Sequence, residues 1–330
     1  MKKSAASLVS SLLLCALCPL MLLHSAYVTE GAKNGLLLWY SFVVPALFPF
    51  MVLSGLIVSG GGIGILTAPF HLILGPLLGL SKPGVYVLLA GFFCGCPMGA
   101  KTCADFLREG RITENEARFL LAVCNHPSPM FLLGYVWPLF SGQASLFSVV
   151  FSMYGPLLLI VPLAMVLYPG RQRERNRPGG LLRPAPSQTS DEAILNAMGI
   201  LCKIGGYLMI FSIAIVFLKN SRALPPLLRL LLIGAMEMTT GIKELAAALP
   251  FPFSGAASMA ALAFGGFSGL SQTKAVLAVP GAPETPAADE KKAGLSIRHY
   301  FFWKLLHGAL SFFFFFLTVR RFPGFPLLFP

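Results

Sequence analysis

Apolar residues in this chain come in long blocks, and that arrangement admits few folds. Of its 330 residues, 56% are hydrophobic and 12% are charged, against about 25% charged in an ordinary soluble domain. Long runs recur at Ala5 to Ala26, Leu36 to Val58, Ala144 to Tyr168, Ile194 to Leu218, Leu224 to Leu249, Ala256 to Val279 and Tyr300 to Val319. About twenty apolar residues suffice for a helix to cross a bilayer. In lipid a spanning segment must satisfy its own backbone, and a helix does so within itself. The chain therefore reads as all-α, a polytopic helical membrane protein with about eight spans.

The charges agree with that reading. The net charge of +12 arises from 25 Lys and Arg against 13 Asp and Glu. These cations sit mainly at the ends of apolar blocks, as topology signals do, so nucleic-acid binding is not expected. Lys2 and Lys3 precede the first run, Arg171 to Arg183 holds five Arg against one Glu, and Arg320-Arg321 closes the last run. They put both termini on the cytoplasmic side. His24 is a poor cleavage-site residue, so the first run is read as a retained span rather than a signal peptide. The chain then emerges around Glu30 to Asn34. The resulting division is an N-terminal span and short external loop at 1–34, a first unit at 35–168, a basic cytoplasmic loop at 169–193 and a second unit at 194–330. Pro280 to Gly294, slightly acidic, is expected outside. Ile63 to Leu80 reads as interfacial.

Several runs are broken. Gly91 to Lys101 reads GFFCGCPMGAK, where Gly95, Pro97 and Gly99 stop an apolar run beside Cys94 and Lys101. Proline removes a backbone donor and glycine offers no resistance to leaving a helix. Broken backbone at membrane depth is tolerated only where protein buries it or where it lines a cavity. Thr113-Glu114-Asn115-Glu116 is a capping box that starts a helix to about Cys124. Asn125-His126-Pro127-Ser128-Pro129 ends that helix in a second break, and a down-and-back path brings the two breaks together. Pro45 and Pro49 signal either an ordinary kink or a discontinuous helix. Glu237 is an intramembrane carboxylate, a functional candidate (a proton or cation coupling site, or a partner for Lys101) or else an interfacial residue paired with Lys243 or solvated. An offset of 174 lays Phe93-Cys94-Gly95 on Phe267-Ser268-Gly269. Paired interruptions in corresponding places point to a transporter's binding site. The seven cysteines lie in or beside apolar runs and read as small hydrophobes, with neither a disulfide framework nor a metal site expected. No catalytic triad order, carboxylate pair or phosphate loop suggests an enzyme.

Four stretches carry a resemblance: Gly91 to Lys101; Asn125-His126-Pro127-Ser128-Pro129-Met130-Phe131; Phe264-Gly265-Gly266-Phe267-Ser268 with Gln272; and Leu305-Leu306-His307. In this order they resemble the sporulation integral membrane proteins of the nucleoside-recognition (Gate) domain family, the YlbJ-like group, from about Leu36 to Leu317. The resemblance implies two Gate-type repeats with broken or re-entrant helices. It places Gly95, Pro97, Gly99, Ala100 and Lys101 in the first break, Asn125, Ser128 and Pro129 in the second, and Gly265, Gly266, Ser268 and Gln272 in the matching break of the second repeat, with Glu237 in the stretch before it. The substrate contacts expected are these residues other than Ala100 and Pro129, together with Cys94. Cys94 and Cys96 stand where the family has Ser and an aromatic, His126-Pro127 where it has small polar residues, and Lys304 where Arg is common. The implied activity is transport of a small anion, dipicolinate first, by alternating access at a midplane site. The alternatives are nucleoside transport and a non-transporting membrane scaffold of a sporulation complex. The implied setting is the bacterial cell membrane, including the membrane around the forespore. No cofactor is expected, and homo-oligomers or sporulation membrane partners fit the same reading.

Overall fold

The computed structural model describes residues 5–169, 189–277 and 295–321. The basic loop Arg171 to Arg183, the loop Pro280 to Gly294 and the Lys2-Lys3 pair lie outside the described residues. All regular structure within them is helical, and the protein is a multi-pass helical membrane protein.

Helix α1 (Ala5–Leu23) precedes α2 (Ser25–Leu38) and α3 (Val44–Ser59), which a π-helical turn at Trp39–Val43 joins into one rod, Ser25–Ser59, of 35 residues. Pro45 lacks a donor for Ser41, four residues back, and the wider π turn falls where that bond is missing. The two prolines therefore sit in a continuous helix. Helices α4 (Ile63–Leu78) and α5 (Lys82–Cys94) meet at 105°. They are followed by α6 (Met98–Arg108), α7 (Glu114–Val123) and the short α8 (Pro129–Phe131), which runs on through π and 3-10 turns to Phe140. Helices α9 (Leu146–Tyr154) and α10 (Leu157–Leu167) form one apolar segment. The second half of the chain, called the second unit, holds α11 (Ser190–Asn220), α12 (Pro226–Met236), α13 (Met238–Ala248), α14 (Phe253–Phe264), α15 (Gly266–Leu277) and α16 (Ile297–Arg321).

Local chemistry sets several of these starts. Thr113 Oγ1 accepts from the Glu116 backbone at 3.2 Å and caps α7. The Glu116 carboxylate accepts from the backbone and hydroxyl of Ser81 at 2.7 Å each, and Ser81 in turn caps α5. Thr189 and Glu192 form a reciprocal capping box that starts α11.

Two expectations change. The external loop at Glu30 to Asn34 is instead part of α2, which lies along α11. Gly31 and Gly35, one turn apart, make the close approach possible: a Cβ on Gly31 would stand 2.4 Å from the Ile213 Cα, and one on Gly35 2.7 Å from the Met209 Cα. The number of long apolar helices among the described residues is five, or up to six if the bent α4–α5 pair is one span. That is below the eight or so counted from hydropathy, because breaks cut apolar runs into short helices; α12 and α13 have 11 residues each.

The site is positioned by one tight crossing. The ends of α5 and α6 clasp the C-terminal end of α7, so that a Cβ on Gly91 would stand 1.9 Å from the Cys124 carbonyl oxygen and one on Gly99 2.3 Å from it. That oxygen cannot yield cheaply, since it belongs to the backbone. Gly91→Ala should lower stability by at least about 2 kcal/mol, read as a lower thermal unfolding midpoint of the purified protein in detergent. A midpoint equal to the parent's would contradict this crossing.

Candidate functional site

The first break begins where α5 ends at Cys94 and Gly95 turns the chain with φ +76, a conformation that favours glycine. Pro97 then leads into α6. The second break, Asn125 to Ser128, lies against it: the Cys96 N–H donates to the His126 carbonyl at 2.9 Å. Ser128 caps the following helix by accepting from the Phe131 N–H at 3.3 Å.

Asn125 joins these breaks to the second unit. Its side-chain NH2 donates to Tyr300 Oη at 2.6 Å and Thr273 Oγ1 at 3.2 Å, and lies 3.4 Å from Cys96 Sγ. Its side-chain oxygen accepts from the Ala100 N–H at 3.4 Å, and its backbone carbonyl accepts from Lys304 Nζ at 3.1 Å. One buried residue thus touches α6, α15 and α16.

The second unit has its own pair of breaks. Glu237, extended at φ −144 and ψ 124, separates α12 from α13. Its carboxylate accepts from the Thr239 N–H at 2.8 Å, the Thr239 hydroxyl at 2.6 Å and the Thr240 N–H at 2.7 Å. Glu237 is 1% exposed, and the start of α13 supplies the donors and the positive helix end that make its burial tolerable. It pairs with neither Lys243 nor Lys101. Gly265, at φ +83, separates α14 from α15, and the next residue, Gly266, lies against the Met236 carbonyl. The two breaks of this unit therefore also meet.

A cavity of about 40 Å³ lies where these breaks converge. Cys94, Gly95 and Ser128 line it from the first unit, and Glu237, Gly265, Ser268 and Gln272 from the second. Gln272 donates to Ser268 Oγ at 3.0 Å. The remaining residues singled out in the sequence serve around it. Pro97 begins α6, Gly99 sits on the Cys124 carbonyl, Gly266 closes on Met236 and Asn125 fastens the wall.

Lys101 lies elsewhere. Its ammonium pairs with Asp105 at 2.6 Å and its side chain is 31% exposed. It lines a larger cavity of about 490 Å³ between α3, α6 and α11, with Ser54, Thr102, Asp105, Glu109, Asn196 and Lys203. Glu109 and Lys203 are exposed, so the cavity opens at the surface. One apolar cluster contributes to both cavities: Leu47, Cys94 and Ile204 to the small one, Met51, Met98 and Ala197 to the large one. It is the wall they share.

The buried cation beside the breaks is Lys304, 2% exposed. Tyr300, Thr273 and the adjacent rings of His126 and His307, with centroids 4.6 Å apart, complete a polar cluster. The motifs include His126 and His307, but the site residues expected from the sequence include neither of them, nor Lys304. The signal was present, since Lys304 and His307 interrupt the apolar run Tyr300 to Val319, and ionisable residues inside such a run mark function or pairing.

The sporulation integral membrane protein YlbJ of Bacillus subtilis (strain 168) is 29% identical to this chain over 213 residues, 58% of the chain and 51% of the relative. The chain is similar to YlbJ. It spans about half the length of this curated relative. No family model matches the chain, and no solved structure matches it.

The Asn125 side chain carries the junction between the units. Asn125→Ala should destabilise the protein by about 2 to 4 kcal/mol, because it strands Tyr300 and Thr273 in a buried site. Thermal unfolding in detergent measures this, and a loss below about 0.5 kcal/mol would show that the junction is held by other contacts.

Proposed function

We propose that the protein is a sporulation-associated membrane carrier, moving a small planar anion, dipicolinate first, by alternating access at the small central cavity. The observation that supports this reading is the convergence of four chain breaks, two from each unit, on one small cavity. Paired broken helices around an enclosed site are the architecture of carriers, because broken backbone supplies free N–H and C=O groups there. The large cavity supports the same reading as a vestibule. It opens at the surface, holds Lys101 and Lys203 together with Asp105 and Glu109, and meets the central cavity across one apolar wall.

About 40 Å³ holds only a few water-sized volumes, so a pyridine dicarboxylate enters only when that wall moves. We place the anion's carboxylates against Ser128, Ser268 and Gln272, with Gly95 and Gly265 allowing close backbone approach. Glu237, its oxygens already taken by the start of α13, repels an anion less than a free carboxylate would. Lys101 acts in the vestibule, where it raises the local anion concentration. Similarity to a sporulation protein favours this substrate and a place in the membranes of a sporulating cell.

One observation favours a second reading, nucleoside transport. The residues lining the central cavity include Glu237 but no Lys or Arg, which suits a neutral ligand.

Purified protein in liposomes, given labelled dipicolinate and a labelled nucleoside in parallel, tests the proposal. Dipicolinate uptake above protein-free liposomes is expected, falling about tenfold or more in Gln272→Ala. Lys101→Ala should raise the half-saturating concentration and leave uptake less sensitive to salt. Nucleoside uptake alone would move the assignment to the second reading. Uptake of neither by folded protein would favour the scaffold.

A further inference from the structure

Lys304 is a buried cation without a buried anion. Its ammonium donates to a backbone carbonyl, that of Asn125, and among the described residues it belongs to no ion pair. An isolated charge in a dry interior is costly unless something else compensates it. The Lys304 ammonium is bonded at the negative end of one helix, and the end of a second lies beside its aliphatic stem. Asn125 directly follows Cys124, the C-cap of α7. Gly265 is the C-cap of α14, and the Lys304 Cε lies 3.7 Å from the place a Gly265 Cβ would take. Each helix end carries partial negative charge on its free carbonyls.

The histidines beside it add no positive charge. His126 Nε2 faces the Val123 carbonyl at 3.1 Å and His307 Nε2 faces the Met153 carbonyl at 2.8 Å. A carbonyl accepts, so each Nε2 carries the hydrogen, and each Nδ1, buried and unpartnered, is left as a lone pair.

In carriers built from broken helices, this kind of place is where a monovalent coupling ion binds: unwound carbonyls and helix C-terminal ends near the midplane. Here the chain's own ammonium fills it. We propose that Lys304 is a tethered cation, standing permanently where a sodium ion or another small monovalent cation would otherwise sit between the ends of α7 and α14, so that this site needs no free ion. The consequence for coupling rests on the carrier reading, whereas the cation site itself does not.

The test uses the full-length protein in detergent, with thermal unfolding in choline, sodium and methylammonium chloride at equal ionic strength. The parent should unfold at the same midpoint in all three. Lys304→Ala should unfold lower in choline and recover by about 2 °C or more, saturably, in methylammonium or sodium. A folded Lys304→Ala protein that responds to these cations no more than the parent does would overturn the proposal. If the alanine variant cannot be purified, Lys304→Met decides. It nearly matches the side chain in length but not in charge, and should be less stable than the parent in choline, whereas stability equal to the parent's would overturn the proposal. These readouts do not depend on transport. A parent that carries neither substrate, beside a Lys304→Ala protein that shows the cation response, would remove the carrier reading and leave the site standing.

Discussion

The structure depends on the hydrogen bonds of Asn125. Residues near the first break, Cys96 and Ala100, and residues of the second unit, Thr273, Tyr300 and Lys304, all meet this one side chain or its carbonyl. Without it, two sets of broken helices would be left with polar backbone and hydroxyl groups facing an apolar interior. With it, the first two breaks are tied to α15 and α16, and a cavity is left where the four breaks converge. The crossing of Gly91 and Gly99 over the Cys124 carbonyl brings Asn125 to that place. Small residues here provide proximity, and proximity provides the bonds.

The arrangement of charge follows from the same economy of donors. Glu237 is buried, yet three donors at the start of α13 receive its oxygens. Glu116 is likewise buried and bonded to Ser81 at the start of α5. Lys304 meets the opposite polarity, a carbonyl at the end of α7, with the end of α14 beside its stem. Charges in this interior are therefore matched to helix ends, which helps ionisable residues persist in an apolar protein. Lys101, by contrast, pairs with Asp105 in a partly exposed cavity, as a solvated cation does.

Much of the fold was legible in the sequence. Block hydropathy identified an all-helical, multi-pass membrane protein, and Gly95, Pro97 and Gly265 marked where helices stop. The meeting of Cys96 with His126 was legible too, because the spacing between the breaks allows a down-and-back path. The α2–α11 contact was missed. Glu30, Lys33 and Asn34 look like a polar loop, while the decisive pair, Gly31 and Gly35, shows its meaning only against another helix. The role of Lys101 was misplaced for a related reason. A motif shows which residues are close in the chain, but α6 carries Lys101 a full turn beyond Pro97 and away from the cavity. Lys304, some two hundred residues later, arrives at Asn125 through the fold alone.

The central claim is that the convergence of breaks is where ligand sits, and the protein carries its own probe there. Cys94 and Cys96 line the central cavity, while Cys202 is exposed on α11. The measurement is the rate of labelling of each cysteine by a small methanethiosulfonate, mapped by peptide mass spectrometry, with and without dipicolinate. The account predicts that dipicolinate slows labelling of Cys96 or Cys94 and leaves Cys202 unchanged. Labelling of both cavity cysteines that is indifferent to saturating dipicolinate and to nucleosides alike would contradict it.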